Sequence, residues 1–278
     1  MTVIDDAGNE QTIQTDKENS VLRSSLLVMP EVTLDKVPQP GGDYIDEYGI
    51  NHGPGVKIGE AVWAPVNCGY HATDFKYGKL YQWGRKYGQG YDDNDASVPT
   101  IEEGGLSVIT GQHKNKANVF FRSTSEFDND WLYPQDSKLW NSGTEDNPQK
   151  TEYDPCPEGW RVPTYAELGE LINHYSSWTT DDKGQRGRWF SGPNLYTASV
   201  HQVFFPAAGY RYYNHGDANN RGNNGNYWSS RTNNTNANNL YFNSSNVNMN
   251  NNNRANGYSV RCVQNLLLCL LIISYDCR

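Results

Sequence analysis

The run Asn239-Leu240-Tyr241-Phe242-Asn243-Ser244-Ser245-Asn246-Val247-Asn248-Met249-Asn250 alternates apolar and polar residues on both sides of a Ser-Ser centre. Successive side chains on a strand point to opposite faces, so Leu240 and Phe242 share one face and Asn239, Tyr241 and Asn243 the other. Ser244-Ser245 reads as a turn. Beyond it Val247 and Met249 point inward, and Asn246, Asn248 and Asn250 outward. The pattern predicts a hairpin with one buried face and one face covered by amides.

Working outward, the whole stretch from 214 to 256 is unusual: 19 of its 43 residues are Asn. A low-complexity polar tract would be the ordinary account, but disorder does not require apolar residues at strand spacing. The same stretch, from Arg211 to Asn256, lacks Lys, Glu and Gln altogether. Its composition is close to the set reached when the adenines of an Asn codon are replaced by other bases, with Trp228 and Met249 as fixed exceptions.

Elsewhere, short β-type runs recur at Glu60–Val66, Lys79–Trp83, Trp189–Phe190, Val203–Pro206, Tyr227–Ser230 and Tyr258–Val263, separated by Gly-rich turns. The clearest helix is Thr164 to Tyr175, with Thr164 and Glu167 as a capping box and Leu168, Leu171 and Ile172 as its buried stripe. Scattered short strands, a few helices and long irregular loops predict a coil-rich α+β domain. Residues 1–40 read as an N-terminal lead-in and linker with one apolar patch at Val21–Met29. Residues 41–264 form the domain, with its Asn-rich region at about 210–256. Residues 265–278 carry the apolar run Leu266–Ile273, read as an appendage although a buried strand or helix turn fits too.

The 278 residues carry a formal net charge of −9, and 13% are aromatic, which fits a folded chain and argues against phosphate-binding nucleic-acid recognition. No apolar stretch reaches the ~18 residues of a membrane helix. No signal peptide is visible at Met1–Gln11. Five cysteines, Cys68, Cys156, Cys262, Cys269 and Cys277, show no metal spacing. They read either as small buried residues or as one bridge among Cys68, Cys156 and Cys262.

The Asn-rich segment resembles the variable region of diversity-generating retroelement target proteins. The wider domain resembles the Fibrobacter succinogenes major paralogous domain family, related to C-type lectin folds of the formylglycine-generating-enzyme type. The matching blocks are Val62-Trp63-Ala64, the nonapeptide from Tyr77 to Arg85 (YGKLYQWGR), the segment from Cys156 to Thr164 (CPEGWRVPT), Phe205 to Arg211 (FPAAGYR), Gly225 to Ser230 (GNYWSS) and Gly257 to Val263 (GYSVRCV). The resemblance implies a C-type lectin-like domain with a receptor or adhesion role, at the cell surface, outside the cell or on a virion. The family ends soon after its last block, so the tail from Asn265 is a departure.

Chemistry is sparse. The histidines His52, His71, His113, His174, His201 and His215 show no metalloenzyme spacing, and His174 reads as a partly exposed surface residue on the helix. Formylglycine-generating chemistry needs a close cysteine pair that is absent. Asp92-Asp93-Asn94-Asp95 has a calcium-loop composition without the calcium-loop spacing, so no cofactor is expected and a structural calcium ion is not indicated. The expectation is therefore a non-enzymatic binding protein. Trp160, Pro163, Leu168, Phe205, Trp228, Phe242, Met249 and Val260 form its framework. The contact residues are Tyr212, Tyr213, His215, Asp217, Asn219, Asn220, Asn223, Asn224, Asn226, Tyr227, Arg231, Asn233, Asn234, Asn236, Asn238, Asn239, Tyr241, Asn243, Asn246 and Asn248. Tyr supplies contact area at low entropy cost, and Asn and Ser supply adaptable hydrogen bonds, as in antibody loops. The partner is a protein or glycan. The rivals are an enzyme using a cleft near Trp83, Arg85 and the acidic turn, and a structural module of a surface or fibre protein.

Overall fold

The computed structural model describes residues 2–4, 10–12, 42–91, 99–105, 116–191 and 202–265. The chain divides into two units, Met1–Pro38 and Gln39–Arg278. In the first, β1 (Thr2–Ile4) and β2 (Glu10–Thr12) pair antiparallel. The second begins with β3 (Asp43–Ile45), β4 (Asn51–Pro54), β5 (Val56–Ile58), β6 (Ala61–Trp63), β7 (Leu80–Gln82), β8 (Thr100–Glu103) and β9 (Val119–Arg122). It continues through β10 (Trp160–Arg161), α1 (Tyr165–Glu170), β11 (Ser176–Thr180), β12 (Arg186–Ser191), β13 (Gln202–Pro206), β14 (Tyr210–Arg211) and β15 (Ala218–Asn219). It closes with β16 (Asn224–Asn233), β17 (Asn236–Asn243), β18 (Val247–Asn253), β19 (Gly257–Ser259) and β20 (Val263–Gln264).

This corrects the α+β expectation: the domain is mostly β. Among the described residues the only α-helix is α1, six residues long, beside two 3₁₀ turns at Ser125–Phe127 and Leu171–Asn173. Nor are the strands all short, since β16 runs for ten residues and β17 for eight. The apolar patch Val21–Met29, the acidic run Asp92–Asp95, His113, His201 and the run Leu266–Ile273 lie outside the described residues.

The capping box is present. The Thr164 side chain accepts the Glu167 N–H at 3.2 Å, and the Glu167 carboxylate accepts the Thr164 N–H at 2.7 Å. Burial raises the Glu167 carboxyl, but the paired Arg161 guanidinium, 2.6 Å away, outweighs it and leaves the group below its usual range. The helix is shorter than the predicted Thr164–Tyr175. After Glu170 the chain tightens into a 3₁₀ turn and enters β11 at Ser176. Three residues per turn carry Ile172 off the buried stripe, so it is 37% exposed while Leu168 and Leu171 are buried. His174 is half-buried, as expected, and lies 3.6 Å from Glu170.

The sheet that matters runs in the order β15-β14-β19-β16-β17-β18, with β7 also paired to β19. Leu240 stands opposite Tyr227 and Met249, and Tyr241 opposite Asn226 and Asn248. Opposed residues share a face, so Tyr227, Leu240, Phe242, Val247 and Met249 lie on one side. They join a core with Trp63, Leu168, Phe190 and Phe205, in which Phe242 and Tyr227 stack at 5.7 Å. Gly225 faces Phe242, and a side chain there would run into the ring. The other side carries Trp228, which stacks on Tyr258 at 4.3 Å and joins a second core with Trp83, Trp131, Trp140 and Trp160. Cys156 and Cys262 form a disulfide within that core. Among the described cysteines Cys68 is the free one, buried with its thiol pushed up to about 12 by burial.

Candidate recognition surface

The predicted hairpin exists: β17 and β18 pair from Asn236 opposite Asn253 to Phe242 opposite Val247, with Ser244 and Ser245 in the turn. Its amide side is a ladder. Asn224, Asn226 and Trp228 on β16 share that face with Asn239, Tyr241 and Asn243 on β17 and with Asn248 and Asn250 on β18. Neighbouring amides bond to one another. The Asn226 Nδ2 donates to Asn224 Oδ1 at 3.1 Å, Asn243 Nδ2 to the Tyr241 hydroxyl at 3.0 Å, and Asn252 Nδ2 to Asn239 Oδ1 at 3.1 Å. The Asn243 Oδ1 also accepts the N–H groups of Ser245 and Asn246, both at 2.8 Å, which fixes the turn.

Of the predicted contact residues, His215, Asp217, Asn220, Asn223, Arg231, Asn233, Asn234, Asn246 and Asn248 are exposed. Tyr212, Tyr213, Asn219, Asn224, Asn236, Tyr241 and Asn243 are half-buried. Four expectations fail, because Asn226, Tyr227, Asn238 and Asn239 are buried. Tyr227 was placed outward but belongs to the core face, where its hydroxyl donates to the Pro206 carbonyl at 2.6 Å. Asn239 lies on the predicted face, but its neighbour Trp228 and the core above it close that part of the face to solvent. Asn238 lies on the opposite side of β17 from Asn239, and the Ser229 hydroxyl bonds its carbonyl.

The exposed residues do not make one patch. Asn233, Asn234 and Asn236 occupy the β16–β17 turn, about 20 Å along β17 from Asn243 at a rise of ~3.3 Å per residue. Asn224, Tyr241, Asn243, Asn246 and Asn248 gather at the other end of the strand pair. The β14–β15 hairpin supplies a third group. Tyr212 packs against Tyr213 at 4.7 Å and His215 at 4.9 Å, and His215 Nδ1 lies 2.9 Å from the Asp217 carboxylate.

Some residues of the segment were missed. Asn250 and Asn251 are exposed and extend the surface along β18, the edge strand; the alternating pattern already marked Asn250. Arg254 and Asn256 are buried frame residues. Arg254 donates to the carbonyls of Asn234 and Asn236, at 2.6 and 3.3 Å, and covers the Trp83 ring at 5.1 Å, so it clamps the β16–β17 turn. The Asn256 Oδ1 accepts the Tyr213 N–H at 3.0 Å. Nothing in composition separates these from the surface set.

Of the places named for the catalytic rival, the acidic turn lies outside the described residues. Trp83 and Arg85 are buried, with the Arg85 Nη1 bonded to Gln82 and to the Val119 carbonyl. Among the described residues, no helix is long and apolar enough to cross a membrane.

Residues 178–263 match a family model described as a domain of unknown function, DUF8237. That span runs from within β11 to the start of β20 and includes the entire amide ladder. No curated protein and no solved structure matches the chain significantly.

Proposed function

We propose that this chain is a recognition protein that binds a protein or glycan partner, without catalysis, through a substitutable polar surface at about residues 210–256. As in the retroelement target proteins it resembles, adenine-directed mutagenesis of the coding DNA diversifies that surface. The observation that carries the reading is the division of labour within β17 and β18. Leu240 and Phe242 are fully buried, while Tyr241, Asn243, Asn248 and Asn250 reach solvent from the same strands. A framework that packs on one face leaves the other free to vary at little cost in stability, since surface substitutions usually stay within about 0.5 kcal/mol. The Cys156–Cys262 bridge supports a cell-surface, extracellular or virion setting, because disulfides persist in oxidising surroundings.

Saturation substitution at Asn243, Asn246, Asn248 and Asn250, compared with Leu240, Phe242 and the buried Asn239, tests the reading when folded protein on a display surface is counted. Most surface variants are expected to fold and most core variants to be lost. The coding DNA is expected to lie near a reverse transcriptase and a near-identical repeat that differs at adenines. Equal intolerance at both sets of positions, or the absence of any such repeat, overturns the proposal.

A further inference from the structure

A pocket of about 260 Å³ opens on the domain outside the Asn-rich segment, and no residue between Arg211 and Asn256 lines it. Its aromatic walls are Tyr70, Tyr77, Trp189 and Phe204, and its margin carries Lys76 and Asp182. Six of the eight tryptophans, Trp63, Trp83, Trp131, Trp140, Trp160 and Trp228, are buried. Of the two that are half-buried, Trp178 is covered by the Arg186 guanidinium at 5.5 Å and by Phe242 at 6.4 Å. Trp189 is tilted against Phe204 at 5.2 Å and lines the pocket. We infer that this pocket is a binding site for one saccharide ring, seated against Trp189 and held by Asp182 and Lys76.

The walls are fixed before any ligand arrives. At the base, Arg261 donates to Asn67 Oδ1 at 2.8 Å and to the carbonyls of Ala64 and Phe204 at 2.9 and 2.6 Å. The Asp181 carboxylate accepts the N–H groups of Lys183 and Gln185 at 3.0 and 2.7 Å, which locks the turn that presents Asp182. The Gln185 Nε2 then donates to the Lys76 carbonyl at 2.6 Å and ties that turn to the facing wall. Binding to such a site loses little to ordering of the protein.

The chemistry selects the ligand class. A pyranose has a flat C–H face that packs on an aromatic ring and an edge of hydroxyls that both donate and accept. Asp182 and Lys76 are exposed where they line the pocket, so one carboxylate and one ammonium stand ready to bond such an edge. Asp181 and Asp182 offset Lys76 and Lys183, and the buried Arg261 guanidinium is directed at the Asn67 side chain and the Ala64 and Phe204 carbonyls, so the mouth of the pocket is charge-balanced and suits a neutral polar guest. Sites for drug-sized ligands start at about 300 Å³, so the volume suits a single ring, free or at the end of a glycan.

Calorimetry and saturation-transfer NMR on the full chain with the methyl glycosides of glucose, galactose, mannose and N-acetylglucosamine test the site. At least one is expected to bind with a millimolar Kd. Trp189→Ala is expected to weaken it about tenfold or more, and Asp182→Asn, on an exposed turn, several-fold. Tyr241→Ala, on the amide face, leaves glycoside binding unchanged, so this result stands or falls separately from the proposed surface function. An oligosaccharide ending in the preferred sugar is expected to match the glycoside if the natural source is a glycan and to be excluded if it is the free sugar. Absence of binding by all four at tens of millimolar, binding undiminished in both variants, or adenosine binding in place of every glycoside overturns the inference.

Discussion

Asp130 is buried within 3.7 Å of the Arg254 guanidinium, and burial raises its carboxyl to about 7 although Arg254 and the Leu132 and Trp131 N–H groups pull it back. The unfolded chain releases this proton near ~3.9. Between about pH 4 and 7 the folded state therefore holds a proton the unfolded state has lost, and this group makes stability fall as pH rises through that window. Asp130→Asn is expected to abolish the slope. In urea unfolding from pH 4.5 to 8, the stability of the variant relative to the original should climb toward pH 7 and then level off. Single residues also mark where sequence reading stops. The period-two alternation told which face Asn239 occupies, and β17 and β18 keep that register. It carried no information on whether another part of the chain covers that face. Trp228, Tyr258 and Trp83 come together from distant segments, and their packing decides that Asn239 is inside.

At the level of elements, the hairpin and the helix cap were legible because each is written in consecutive residues. Thr164→Ala removes one half of the capping box and is expected to cost about 1 kcal/mol, read as a lowered midpoint in chemical denaturation. Phe242 and Asn243 are adjacent on β17, yet Phe242→Ala is expected to cost ~3–5 kcal/mol and Asn243→Ala well under 2. A comparable loss at both would mean that the strand has no solvent face. Gly225→Ala, pressed against the Phe242 ring, is expected to destabilise more than Asn243→Ala despite adding one methyl group. Helix content was misjudged for a physical reason. A few helices were expected and one is found among the described residues; elsewhere the chain turns at Gly and Asn residues of positive φ, such as Gly209 and Asn234.

At the scale of the molecule, two aromatic cores on opposite sides of one sheet hold the fold, and the Cys156–Cys262 bridge lies in one of them. The bridge spans 106 residues, so the paired Cys156→Ala, Cys262→Ala variant is expected to lose ~2–5 kcal/mol in thermal unfolding. Cys68 is expected to resist iodoacetamide at pH 8 until the chain unfolds, because burial blocks access and holds its thiol protonated, with the alkylated site read by peptide mapping. The pocket beside Trp189 was beyond sequence reading altogether. Its lining comes from stretches around 70, 182 and 204, and no spacing rule joins residues that only the assembled sheets bring into contact.

The side-chain bonds between neighbours on the amide face have a consequence for how such a surface changes. Where Asn243 binds Tyr241, each member occupies a hydrogen-bonding group of the other. Exchanging one partner unmasks a donor or acceptor on the residue that stayed. Positions on this ladder are thus epistatic in couples, and one altered codon yields two altered contact points.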